Sequence, residues 1–259
     1  MIKYEEYIKK NKLGVLYTNK MFKDIDTIKI GGNIRLLYYP NTINNFISFY
    51  KYYLLYRDYP LIVIGNGSNI LPSSNDYNGI VICFKKIKYK YSLMNSTITV
   101  NSGVMLMDLL NYCINKNLSG LEYLAYIPGT IGGMVRMNAE AYNHSISDNI
   151  LNIKVIDNKG NIKYYTKEDI IFSYRKCSIP KDDIILEISF QLKKDYIKEI
   201  VNNIKEERKL KQPINEFNAG STFKNPNNKK AWELIERLNL KGFRINDAMV
   251  SVKHSNFLI

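Results

Sequence analysis

The sequence predicts an α+β fold, on three observations. Short β-branched runs recur at 61–65, 79–84, 97–101 and 184–192. Apolar residues fall at helical spacing over 43–56, 105–117 and 229–240. Their order is strand-rich, then mixed, then helix-led, which does not match the regular alternation of a doubly wound sheet.

The elements follow in order. Residues 1–26 carry little signal. Residues 27–39 read as a strand, a Gly31-Gly32 turn and a second strand. Asn41-Thr42 is a helix start, and the aromatic face of the helix over 43–56 (Phe46, Phe49, Tyr50, Tyr53) reads as core. Residues 61–65 and 79–84 read as short buried strands flanking a Gly-rich turn. Near residue 84 the composition turns basic and polar, which marks a lobe boundary. Thr97, Thr99 and Asn101 alternate with Ile98 and Val100 on a strand. The amphipathic helix over 105–117 ends at an Asn117…Gly120 turn, and its methionines read as core. Residues 150–165 read as a hairpin around Asn158-Lys159-Gly160, and 184–192 as a strand. A Lys/Glu-rich helix over 195–211 leads to a third region. There a helix over 229–240 stops at Gly242, and 255–259 read as a strand.

Composition narrows the class. A chain of 259 residues, 46% apolar, holds one large domain or two to three small ones and can bury a sizeable core. Cys83, Cys113 and Cys177 are scattered, which suggests neither a disulfide framework nor a zinc site and points to a reducing compartment. With only His144 and His254, no metal site is expected. The N-terminus has no signal-peptide pattern, and no apolar run reaches the length of a membrane span. The net charge of +13 admits two readings. One is nucleic-acid binding; the other, preferred because the lysines are dispersed, is a basic solvated surface that also suits anionic small molecules. Only short clusters occur, such as Lys85-Lys86 with Lys88 and Lys90.

Two Gly-rich stretches carry the functional signal. Residues 61–71 run from a β-branched segment into Gly65-Asn66-Gly67-Ser68-Asn69. Such a turn can present N–H groups to a phosphate. It is not the dinucleotide fingerprint, because Ile70 takes the third glycine position and Pro72 follows where a helix should open. Residues 126–138 place Pro128-Gly129, Thr130 and Gly132-Gly133 in an apolar frame. They read either as a buried turn between elements or as a close-approach, anion-binding segment.

These stretches belong to an ordered series that resembles UDP-N-acetylenolpyruvoylglucosamine reductase. The series is Ile30-Gly31-Gly32, Gly65 to Asn69, Gly120-Leu121-Glu122, Ile127 to Gly133, Met137-Asn138-Ala139, Ser173-Tyr174-Arg175, Ala219 to Pro226, and Val250 to Phe257. Each piece is weak alone; the ordered set spans nearly the whole chain and is specific. The resemblance implies a two-lobed FAD-binding domain of the vanillyl-alcohol-oxidase type over 1–195, with lobes of about 1–84 and 85–195. A smaller α+β substrate-binding domain would follow over 196–259.

The resemblance also implies the chemistry. NADPH reduces FAD, NADP⁺ leaves, and the enolpyruvyl ether of a UDP-sugar accepts hydride at its β-carbon. Charge then builds at the carboxylate as an enolate, which calls for a cation there and an acid for the α-carbon. Arg175 is implied as the cation and Ser221 as the acid. Without the resemblance these would be a surface arginine and a turn serine. Tyr174, Lys224 and Asn225 are implied at the substrate. FAD contacts are implied at Gly65, Asn66, Gly67, Ser68 and Asn69, and at Pro128, Gly129, Thr130, Gly132 and Gly133, mostly through backbone N–H groups. The implied setting is the cytoplasm, in cell-wall precursor synthesis, with no nucleic acid or membrane partner and a monomeric state.

The chain departs from the family pattern at four points. Cys177 stands where serine is usual. Glu140 and Asn143 replace glycines of the Met-Asn-Ala-Gly-Ala-Tyr-Gly motif. The sequence also stops at Ile259, short of a tail in which the family carries a catalytic glutamate, so a fragment of a longer frame is expected. The alternative is a flavin-binding relative with impaired reductase activity. Other readings are a different FAD oxidoreductase on the same scaffold and a basic nucleic-acid-binding module. A Ser-His-Asp hydrolase is disfavoured, because neither histidine lies in a supporting motif.

Overall fold

The computed structural model describes residues 1–88 and 91–259; Lys90 of the basic cluster lies outside them. Its first lobe is a sheet in the order Gly14–Tyr17, Asn33–Pro40, Tyr77–Cys83, Leu61–Ile64. The first pairing is antiparallel and the next two are parallel. Helix Ile43–Leu54 makes the crossover. Thr42 caps it as expected, its hydroxyl oxygen accepting the Asn45 amide at 3.1 Å. Ile43, Phe46, Phe49 and Tyr50 are buried on its inner face, against Tyr4 and Ile8 of helix Ile2–Lys10. Each such side chain contributes roughly 1.5–3 kcal/mol of burial.

Two expectations for this lobe are corrected. Residues 27–30 form no strand; Asn33–Pro40 pairs instead with Gly14–Tyr17 and Lys20–Met21. Gly31 (φ +109°) and Gly32 serve a close approach, not a hairpin. A Cβ at Gly32 would lie 2.5 Å from the carbonyl oxygens of Ser74 and Asn75. Leu61–Ile64 is also not a buried strand. It is the sheet's edge, paired on one side, and only Ile64 is buried.

The second lobe is a fully antiparallel sheet: Ile162–Thr166, Ile150–Ile156, Ile184–Gln191, Thr97–Asn101, Ser92–Met94. The hairpin expected at 150–165 is present. Its turn is held by the Asp157 carboxylate, which accepts the amides of Lys159 (2.9 Å) and Asn161 (2.8 Å). Helix Leu106–Asn115 covers the sheet with Leu106, Leu109, Leu110 and Cys113. Helix Lys198–Lys211 buries Val201 and Ile204 in the same core. It therefore packs with this lobe. Ile156 and Leu186 reach across into the first lobe's core, so the two sheets share buried side chains.

Residues 212–259 hold little regular structure. Helix Ala231–Arg237 is shorter than the 229–240 expected; Leu238, just past its end, is 70% exposed, so packing does not prolong it. The strand expected at 255–259 is reduced to single bridges, Ser221 with Phe257 and Val250 with Leu258. No helix among the described residues is long and apolar enough to cross a membrane.

Candidate active site

The two Gly-rich stretches meet. Gly65 closes the edge strand Leu61–Ile64 and lies against Thr130; a Cβ built on Gly65 would collide with Thr130 Oγ1. Asn66 bridges the stretches, its Nδ2 donating to the Pro128 carbonyl (3.2 Å) while its Oδ1 accepts from Lys85 Nζ (3.2 Å). Gly67 has φ +70°, and its carbonyl accepts the Thr27 amide at 3.3 Å. The turn is thus held by side chains and carbonyls. Its own amides at Asn66, Gly67, Ser68 and Asn69 find no acceptor among the described residues. Unpartnered successive N–H groups are what an anion needs.

In the second stretch most amides already donate within the protein, and only that of Thr130 finds no acceptor among the described residues. Gly129 donates to Ile127 O (2.9 Å), Ile131 to Val104 O (2.8 Å), Gly132 to Ser102 O (2.8 Å) and Gly133 to Thr130 Oγ1 (3.4 Å). These bonds start helix Ile131–Arg136, with Thr130 as its N-cap. Gly132 is required because a Cβ there would lie 2.6 Å from Ser102 Cβ. The segment therefore offers close backbone approach and the face of Thr130, and not a row of free N–H donors.

A cavity of about 610 Å³ opens beside Gly65 and Thr130, and Asn66 to Asn69 lie outside its lining. The first lobe lines it with Tyr50, Ile62 and Gly65; the second lines it with Ser102, Thr130 and Gly132. Ser102 Oγ is buried there without a hydrogen-bond partner; Asp26 Oδ2, also buried and unpartnered, lies behind Gly67, and Asp26 lines a separate pocket with Asn66 and Lys85. Burial pushes the Asp26 carboxyl above its ordinary value. A cavity lined by both lobes, the orphaned Ser102 hydroxyl in it and the free amides of the adjoining turn fit a dinucleotide-sized cofactor such as FAD.

Arg175 sits in the left-handed region (φ +56°) at the tip of the hairpin Phe172–Ser173/Lys176–Cys177. The hairpin is tethered by Asn138, whose Nδ2 donates to Ser173 O at 3.2 Å. The Arg175 guanidinium carbon lies 4.9 Å from the Tyr174 ring centroid, and its Nη1 lies 3.4 Å from Glu140 Oε1. That Nη1 is buried and makes no hydrogen bond. Tyr174 reaches the third region, its phenol oxygen accepting the Asn225 amide at 3.1 Å. The Asn225 carboxamide oxygen in turn accepts the Ala231 amide (3.0 Å), anchoring the last helix.

Ser221 is exposed on a loop zipped to residues 254–257. Thr222 N donates to Asn256 O (2.8 Å), and Asn256 exchanges two 2.9 Å bonds with the Phe223 backbone. Gly220, beside Ser221, faces the first turn, with Ser68 O 3.9 Å from where its Cβ would be. Thr27 secures the same loop through Asn218, donating from Oγ1 to its carbonyl (2.7 Å). Arg175 and Ser221 make no hydrogen bond with each other, and Lys224 is exposed with no ion pair among the described residues. The structure thus joins Gly65–Asn69 to Pro128–Gly133 and Tyr174 to Asn225, and sets Gly220 near Ser68.

Sequence reasoning gave no role to Ser102, Asn138, Asp26 or Asn256. Asn138 and Asn256 lay inside recognised motifs, which was the available signal. Ser102 and Asp26 had none, because their importance comes from burial. Asn143, at φ +61°, takes the left-handed conformation as expected of asparagine, and Glu140 points at Arg175.

The chain matches the model of the UDP-N-acetylenolpyruvoylglucosamine reductase C-terminal domain over residues 212–259, and that of an FAD binding domain over 35–164. It is 36% identical to the UDP-N-acetylenolpyruvoylglucosamine reductase of Orientia tsutsugamushi (strain Boryong), over 93% of this chain and 81% of the relative. It is 38% identical to the one of Clostridium novyi (strain NT), over 93% and 79%. A crystal structure of the reductase from Thermus caldophilus superposes with a TM-score of 0.81 at 30% identity, covering 95% of this chain and 88% of that one.

Proposed function

This chain belongs to the UDP-N-acetylenolpyruvoylglucosamine reductase family, and from that premise we infer how its residues serve the reaction. It is an FAD-dependent oxidoreductase that reduces UDP-N-acetylenolpyruvoylglucosamine with NADPH, a step in peptidoglycan precursor synthesis. We extend this to a cytoplasmic enzyme serving cell shape and division, acting as a monomer. We divide the chain after helix Lys198–Lys211, into two cofactor-binding lobes and a substrate region over 212–259.

Bound FAD supplies hydride transfer from NADPH to the enolpyruvyl β-carbon. The residues present would hold it in the inter-lobe cavity. The amides of Asn66 to Asn69 would receive the pyrophosphate, and Thr130 and Ser102 would supply polar contacts where Gly65 and Gly132 let the backbone come close. Arg175 would receive the substrate carboxylate. Its guanidinium stays protonated throughout and offers a planar fork of donors, so it stabilises the charge that grows there as the enolate forms. Ser221 would give its hydroxyl proton to the α-carbon and regain one from solvent. The enol ether becomes a lactyl ether, one hydride and one proton having been added. Tyr174 would keep the arginine hairpin against the 221–226 loop, and Lys224 and Asn225 would meet substrate phosphate.

The observation that carries this reading is the meeting of Gly65 with Thr130 beside the cavity. The test is to purify the protein, release and identify the flavin, and follow NADPH oxidation with and without the enolpyruvyl substrate. One FAD per chain and substrate-dependent oxidation are expected. A flavin-free protein, or salt-sensitive nucleic-acid binding in its place, would sink the reading.

A further inference from the structure

We propose that Glu140 is the positioning residue for Arg175. It holds one end of the guanidinium so that the remaining donors face the substrate carboxylate. The inference rests on the reading of Arg175 given above.

Both partners are fixed before any ligand arrives. Glu140 lies on the two-residue strand Glu140–Ala141, paired to Ser145. Ser145 is itself locked to Asp148, through its amide (2.9 Å) and its hydroxyl (2.5 Å). The Ala139 amide donates to Met134 O at 2.9 Å, fixing the entry to the strand. Arg175 is fixed by its hairpin, by Asn138 on Ser173, and by the Tyr174 ring beside its guanidinium. Asn138 and Glu140 are two residues apart, so one short segment holds both the hairpin backbone and the side chain at its tip.

The contact has a particular form. Glu140 Oε1 lies 3.4 Å from Nη1 without a hydrogen bond between them, and the guanidinium makes no other hydrogen bond among the described residues. A carboxylate lying across the fork would occupy the place of the substrate. One drawn to a single Nη by charge alone supplies counter-charge to a half-buried cation already oriented by the Tyr174 ring, and biases that end of the guanidinium while the rest of the fork stays free. The observed geometry is the second case. Glu140 carries a charge of the same sign as the substrate carboxylate, so the two arrangements predict opposite effects when that charge is removed.

The test uses the full FAD-loaded chain and the variants Glu140→Gln, Glu140→Asp and Arg175→Ala. Three quantities are read separately: flavin content, the rate of flavin reduction by NADPH, and the rate of its reoxidation by the enolpyruvyl substrate. For Glu140→Gln we expect full flavin content and reduction by NADPH within about 2-fold. Reoxidation should slow about 10-fold at saturating substrate, with KM changed by less than about 3-fold, as for a misaligned catalytic group. Glu140→Asp, which keeps the charge, should recover part of the loss. Faster reoxidation or a lower KM would show a resident competitor and overturn the proposal. So would equal slowing of both steps or loss of flavin, the signs of a purely structural role. Arg175→Ala separates the two levels. If it reoxidises normally, the reading of Arg175 itself fails, whatever Glu140→Gln does.

Discussion

The phenol oxygen of Tyr174 accepts the backbone amide of Asn225 at 3.1 Å, tying the hairpin of Arg175 to the loop of Ser221 across 51 residues of sequence. Tyr174→Phe removes only this bond. A neutral bond of this kind contributes about 0.5–1.5 kcal/mol. The melting temperature should move little, while KM for the enolpyruvyl substrate rises several-fold. Steady-state kinetics beside a thermal melt reads both, and unchanged kinetics would mean the tie is dispensable.

Ser221→Ala should leave reduction by NADPH intact and slow reoxidation by substrate, by about 10²–10⁴-fold if the hydroxyl is the acid. Stopped-flow absorbance of the flavin separates the two steps. Normal reoxidation would remove Ser221 from the proton transfer.

Lys224→Ala should raise the substrate KM at least as much as it lowers turnover, because the side chain is exposed with no protein ion partner among the described residues. An unchanged KM would take Lys224 out of the binding site.

Gly65→Ala and Gly67→Ala should both lose flavin, but not equally. At Gly65 the added methyl meets the Thr130 hydroxyl, which can turn away only by giving up its cap on Gly133. At Gly67 it meets the Asp26 Cα at 2.6 Å, on a backbone with φ +70°. Bound FAD per chain, read spectrally after gel filtration, should therefore fall further for Gly67→Ala. The reverse order would contradict the assigned cradle.

His254 carries a pH dependence. Burial pushes its imidazole below the ordinary value, and the Lys241 ammonium pushes in the same direction. Its Nδ1 accepts the Asn256 amide at 3.2 Å, which requires the neutral ring. The folded state therefore resists a proton that the unfolded chain takes up below about pH 6.5. Stability from this group is present above that pH and is lost as pH falls through it toward the folded value. The melting-temperature gap between the wild type and His254→Asn should narrow on going from pH 8 to pH 5.5. A constant gap would show that the ring does not titrate against folding.

Local pattern carried much of this architecture. The helices Ile43–Leu54 and Leu106–Asn115 follow from apolar spacing, and the Asp157 hairpin from its Asn-Lys-Gly turn. What escaped was set by distant contacts. Gly31-Gly32 reads locally as a hairpin turn, yet it exists to admit the 73–75 segment. Helix Ile131–Arg136 is masked by two glycines, because its start is held by the carbonyls of Ser102 and Val104 and not by propensity. At the site, the Gly-Ser-Asn turn was readable as a cradle. The meeting of Glu140 with Arg175 was not, since no local rule links positions 35 residues apart.

The Thr27 hydroxyl reaches Asn218 O, 191 residues away in sequence. On a ribosome, Thr27 emerges long before its partner is made. The first sheet lies within residues 14–83 and can pair early, but the Thr27 segment beside it must wait for the chain that later holds it. Such pairings of high sequence separation form slowly and leave sticky intermediates. Recombinant yield should therefore respond to slower synthesis or to chaperones more than to the stability of the finished fold.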